Sequence, residues 1–315
     1  MDTKRYLAFI LTPFCFRLLS LMQDQQKAYT YAVFVVLMWS TIASAFKFSL
    51  RYLDYAQLLF YATAVSTFTL FTILLIQNKI GLLRGCTFRD CVYSLLLGFL
   101  NPFLYYVVLL RAYSLLPAQQ AMALNYTWAI QLVLLSIPLL RQSIGLKSVL
   151  AVIISYLGVV IIATRGDFAG LRFFNPTGVL LALGSAVIWA LFWIFNIKDR
   201  RDEVAKLFLN FVFGFVFIVI YMMLTGRFTI PNLPGFLGAA YVGIFEMGIT
   251  FVLWLKALRL SRTTAQVSNL IYLTPFFALV FINLFVGERI LASTVIGLAF
   301  IVSGILLQKY PFQKK

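Results

Sequence analysis

Glu246 is the one acid near the centre of a long apolar run, in G-I-F-E-M-G-I-T. A carboxyl at membrane depth needs a donor, a cation or a proton, and such residues mark binding sites and proton paths. Two chemistries fit: exchanging a proton during transport, or holding a substrate's ammonium group. The plainer alternative is a carboxyl hydrogen-bonded to neighbouring backbone. Other polar and aromatic residues fall at similar depth in other runs. They are Trp39 and Ser40, Asn101 before Pro102, Asn125 to Trp128 with Gln131 beyond, Trp189, and Asn269, Tyr272 and Thr274 before Pro275. Each Asn or Thr alone reads as glue between helices, worth about 0.6–2 kcal/mol. Agreement in depth across six runs predicts a shared substrate site at the midplane. Its candidates are Trp39, Ser40, Asn101, Asn125, Tyr126, Trp128, Trp189, Glu246, Asn269 and Tyr272, with Glu246 also the candidate for proton coupling. The deep Trp39, Trp128 and Trp189 suit flat or cationic groups. Pro102 and Pro275 each remove a backbone donor and would serve as hinges.

Several chemistries are excluded. With no histidine there is no His metal site and no His acid–base catalysis. Cys15, Cys86 and Cys91 are too few for a structural zinc site and read as reduced thiols. The chain lacks G-x-x-x-x-G-K-[ST], H-E-x-x-H, G-x-S-x-G and paired intramembrane aspartates. No enzyme, no metal and no cofactor is therefore expected.

The elements that must position these residues follow from composition. The chain is 62% hydrophobic and 11% charged, with mean hydropathy +0.95, which places it among integral membrane proteins. The net charge of +16 sits in short loops, where it faces lipid headgroups, not nucleic acid. Ten apolar runs have the length of a membrane helix: 28–46, 56–76, 91–110, 118–140, 148–164, 176–197, 206–225, 234–255, 264–286 and 291–307. The expected fold is all-α and polytopic. Of the 26 Lys and Arg, 19 fall at the two ends and in the even-numbered loops. Both termini are therefore expected in the cytoplasm, with the protein in the inner membrane. Leu7–Met22 is short and contains Pro13 and Arg17, so residues 1–27 read as a cytoplasmic or interfacial segment, not a further span. Residues 308–315 read as a cytoplasmic tail.

An internal repeat completes the reading. V-F-V-V-L-M-W-S-T around Trp39 resembles A-L-G-S-A-V-I-W-A around Trp189; Ala118 answers Ala265, and Gly158 answers Gly304. The offset stays near 146–150 residues. The two halves, 28–164 and 176–307, then hold five spans each. An odd number inverts the second half relative to the first, as in many secondary transporters. This pattern resembles the drug/metabolite transporter superfamily, in its branch with tandem EamA domains, over about residues 28–307. The supporting patterns are L-M-W-S-T at 37–41, L-N-Y-T-W at 124–128, V-I-W-A at 187–190, Y-L-T-P at 272–275 and G-E-R-I at 287–290. The N-Y-x-W and Y-x-T-P elements are similar to those of the aromatic amino-acid exporters, although Ala129 stands where that branch has Pro. Arg141 stands where a Glu often follows helix 4. The resemblance implies a central cavity built from Trp39, Asn125, Tyr126, Trp128, Trp189, Tyr272 and Pro275, with helices 5 and 10 peripheral. The expected function is export of amino acids or similar small amphipathic metabolites by alternating access. An organic-anion or sugar-nucleotide exchanger is the alternative within transport. A non-transporting membrane enzyme or assembly subunit is the rival of another class. Expected partners are a small-molecule substrate and membrane lipids, and the oligomeric state stays open, a homodimer included.

Overall fold

A computed structural model describes residues 24–140, 146–167, 175–261 and 270–309. Among these there are helices and no strands. The expectations for Asn269, the bulk of residues 1–27 and the C-terminal tail beyond Lys309 lie outside the described residues.

We number the long helical segments α1 (Asp24–Ser49), α2 (Tyr55–Ile76), α3 (Phe88–Leu115), α4 (Ala118–Asn125 continued by Trp128–Leu140), α5 (Leu146–Ala163), α6 (Pro176–Lys198), α7 (Glu203–Thr225), α8 (Leu233–Leu260), α9 (Leu270–Val286) and α10 (Ala292–Lys309). Six of them, α1, α2, α3, α6, α7 and α8, are each long and apolar enough to cross a bilayer. The others are shorter or broken.

The boundaries are set by capping chemistry. Asp54 closes a capping box on α2 with Gln57, and Thr87 closes one on α3 with Asp90. Asn175, Asp202 and Asn232 accept from the first turns of α6, α7 and α8. Gly226 and Gly287 end α7 and α9 at φ +63 and +76, a conformation only glycine adopts without strain. These caps supply partners that lipid cannot.

Two helices widen into π-turns in mid-course: α3 at Phe99–Leu104, around Pro102, and α8 at Gly243–Gly248. The two turns hold equivalent places in the halves. At Gly98 a side chain would meet the Asn210 carbonyl of α7; at Gly243 it would meet the Ala62 carbonyl of α2. The packing repeats this exchange. Helix α1 lies on α8 and α9, as α6 lies on α3 and α4, while α2 and α7 pack on each other. Helices α5 and α10 form a pair at the side, reaching the rest through α4, chiefly its first half. Ser155, Gly158, Gly297 and Gly304 bring their backbones close.

The outside is apolar. Phe68, Ile76, Leu224, Ile230 and Leu284 are strongly exposed, as suits lipid. The inside holds Tyr106, Phe46, Phe192 and Phe211, all essentially fully buried.

Candidate functional site

A cavity of ≈ 100 Å³ lies between the halves and is walled by six helices. Helix α1 contributes Trp39, Ile42, Ala43 and Phe46, and α3 contributes Tyr105, Leu109 and Tyr113. From α4 come Met122, Asn125, Tyr126 and Trp128; from α6, Trp189 and Trp193. Glu246 and Trp254 project from α8, and Ile271, Thr274 and Ala278 from α9. All five tryptophans of the chain face this one space.

Breaks in the helices aim these side chains. Helix α4 is interrupted at Tyr126–Thr127, where the Thr127 hydroxyl donates to the Leu124 carbonyl at 2.7 Å. Asn125, Tyr126 and Trp128 sit at that interruption. Glu246 sits in the π-turn of α8, where one extra residue per turn shifts the facing of the helix. The Thr250 hydroxyl donates to the Phe245 carbonyl in this widened turn.

Glu246 is almost fully buried. The Tyr106 hydroxyl on α3 donates to its Oε1 at 3.0 Å. Its Oε2 hydrogen-bonds no described residue. No Lys or Arg appears among the described lining residues. Asn125 donates to the Ser185 hydroxyl on α6 at 2.9 Å and accepts from Tyr105 at 3.4 Å, tying α4 to α6 and α3. Trp189 stacks on Tyr105 and on Phe251, with ring centroids 4.6 and 5.7 Å apart. Trp39 lies against Trp254 at 5.8 Å, with its indole N–H unpartnered among the described residues. The wall is thus a box of ring faces and edges around one acid.

One end of the cavity is stitched shut. Glu288, in the α9–α10 connection, accepts from the backbone N–H of Ala118 at 2.7 Å and Gln119 at 3.3 Å. Its charge therefore caps the positive end of α4. Gln119 donates to the Arg289 carbonyl and accepts from Leu291 N–H. Lys47 donates to the Tyr113 carbonyl at 2.7 Å, and the Phe46 and Tyr113 rings meet edge to face. Gln120 and Gln131 turn to α5, bonding the Ile162 carbonyl and the Tyr156 hydroxyl. These glutamines hold helices together and do not line the cavity.

Of the residues singled out from sequence, Trp39, Asn125, Tyr126, Trp128, Trp189 and Glu246 come together. Ser40 does not join them; its hydroxyl donates to the Val36 and Thr274 carbonyls, pinning α1 to α9. Asn101 is fully buried off the cavity, with both amide atoms unpartnered among the described residues. Pro102 presses on Gly214 of α7 at the same crossing. Tyr272 and Pro275 are not among the residues that wall the cavity; Pro275 lies in the first turn of the α-helical part of α9, after a 3-10 turn. Depth had grouped these residues, but their direction around the helix separates them.

Sequence reasoning missed Tyr105, Tyr106, Tyr113, Trp193 and Trp254. Trp193 was within reach, because it stands one helical turn after Trp189 and so shares its face. Tyr106 and Trp254 follow the π-turns, which put ordinary helical spacing out of phase.

Comparison with known proteins agrees with this architecture. The EamA-like transporter family matches residues 26–164 and 176–308, once per half. An uncharacterized transporter of Clostridium kluyveri is 29% identical over 238 residues, spanning 73% of this chain and 75% of the relative. The uncharacterized transporter YvbV of Bacillus subtilis is 27% identical over 212 residues, 66% of this chain and 68% of the relative. A solved crystal structure shares the fold with a TM-score of 0.62 at 21% identity, over 90% of this chain and 97% of that one. With a match in each half and a central cavity between them, the chain belongs to the EamA-like transporter family of the drug/metabolite transporter superfamily.

Proposed function

We propose that the chain is a secondary transporter that exports small amphipathic metabolites bearing an amino group. Transport runs across the cytoplasmic membrane by alternating access, with both termini on the cytoplasmic side. The observation that carries this reading is Glu246: one acid, half-tethered by Tyr106, on the wall of a space shared by both halves. An unpaired carboxylate in such a place is costly, so it holds a proton or a cation. Trading one for the other couples substrate movement to a proton gradient. Residues Trp39, Asn125, Tyr126, Trp128 and Trp189 bind the substrate; Pro102 and Pro275, both at helix irregularities, act as hinges. An organic-anion exchanger fits less well, because the described wall offers no cation.

The test is accumulation in proteoliposomes under an imposed pH gradient. Wild-type protein should concentrate a labelled amine-bearing substrate against its gradient. Glu246→Gln should fold and reach at most equal concentrations on both sides. Accumulation by that variant at the wild-type level removes Glu246 from coupling.

A further inference from the structure

We propose that the cavity selects organic monocations, amines or quaternary ammonium compounds with an apolar body, over zwitterions and anions. The proposal rests on reading the cavity as the transport site and names the substrate class that site takes. Three observations carry it. Glu246 presents a carboxylate oxygen with no described partner. Half of the lining is aromatic, and Trp39, Trp128, Trp189, Trp193 and Trp254 give it every tryptophan of the chain. Ring faces attract a cation within about 6 Å of their centroids, and tryptophan does so best. The described wall carries no Lys or Arg to meet a substrate carboxylate. The donors that remain are neutral: one Asn125 amide hydrogen is engaged with Ser185, and the Trp39 indole and the Thr274 hydroxyl carry no charge. A zwitterion would place its own carboxylate beside Glu246 in a space of low polarity, where like charges repel most.

Membrane proteins usually spend tryptophan at the lipid interface. Here all five turn to the cavity, which also makes the protein its own reporter. Four compounds share one phenyl ring and differ in charge: phenethylamine, its N,N,N-trimethyl derivative, phenylalanine and phenylacetate. They are titrated into the detergent-solubilised full chain while tryptophan emission is followed. The two cations should change emission saturably, phenylalanine at least tenfold more weakly, and phenylacetate not at all. Glu246→Gln should weaken the cations about tenfold and abolish the preference. The proposal is overturned if phenylalanine binds as well as phenethylamine, if phenylacetate binds better, or if none of the four alters emission. These wild-type titrations decide the matter even if the variant does not fold. The permanently charged trimethyl compound is then offered to proteoliposomes. If it binds but does not cross, transport by this site fails and the selectivity stands. If phenylalanine crosses and the ammonium compound does not, the selectivity fails and transport stands.

Discussion

The hydroxyl of Tyr106 decides how Glu246 stands in the wall. Its ring is fully buried, edge-on to Phe46 and to Tyr105, with centroids 6.5 and 4.7 Å away. Replacing Tyr106 by Phe keeps that packing and removes one hydrogen bond. A bond of this kind contributes about 1–1.5 kcal/mol net, so the carboxyl loses its fixed direction and not its surroundings. Tyr106→Phe should therefore shift half-saturation for substrate about five- to tenfold, with a fall in melting temperature of only a few degrees. Uptake kinetics beside a melting curve separate the two effects. A large fall in melting temperature with unchanged kinetics would mean that Tyr106 serves packing alone. The contrast with Ser40 is instructive. Both are polar residues at mid-depth, yet Ser40 spends its hydroxyl on carbonyls of α1 and α9 and leaves nothing for a substrate.

At the scale of helices, close approach at the two π-turns sets the positions of α3 and α8. An added Cβ at Gly98 would lie 2.4 Å from the Asn210 carbonyl and 2.8 Å from the Gly214 nitrogen. Both obstacles are backbone, so α3 must move off α7. Overpacking of this kind costs about 1–3 kcal/mol. Gly98→Ala and Gly243→Ala should each lower the melting temperature in detergent, whereas Gly184→Ala, with open space at its Cβ, should not. Equal melting of all three variants would show that these crossings have slack. The same elements explain what sequence could and could not reveal. Apolar runs of membrane length stand out because lipid allows only fully bonded helices. Depth along each run followed, and it gathered Trp39, Asn125, Trp128, Trp189 and Glu246, which line one cavity. Direction around the axis did not follow for α3 and α8, since a π-turn inserts a residue and turns the later face away from regular spacing. Asn101 was therefore grouped with the cavity while Tyr105 and Tyr106, just beyond the turn, were overlooked.

Across the whole molecule, α2 and α7 form a spine tied at both ends by residues from opposite halves. At one end Asp54 pairs with Arg227 at 3.8 Å, and Gln57 bonds the Thr229 hydroxyl at 2.5 Å. At the other, Lys79 meets Asp202 at 2.6 Å. There Arg201 grips Asp199 at 2.6 Å and donates to the Asp90 carbonyl and the Ser94 hydroxyl. The second knot is sensitive to acid. Burial pushes the Asp199 carboxyl up, but hydrogen bonds and charge from Arg201, with Lys206, outweigh it and hold Asp199 below the usual carboxylate range. Asp202 is likewise pushed up by burial and brought lower on balance by Lys79 and the first turn of α7. A carboxyl depressed in the folded state stabilises that state above its unfolded value, about 3.9, and the contribution is lost as pH falls below it. Thermal unfolding in detergent should thus hold steady from pH 7 to about 5 and fall steeply below about 4. In Asp199→Asn combined with Asp202→Asn, the melting temperature should be lower at pH 7 and its acid decline shallower. An equally steep decline in the double variant would place the acid-sensitive carboxyls elsewhere and leave the spine without its second knot.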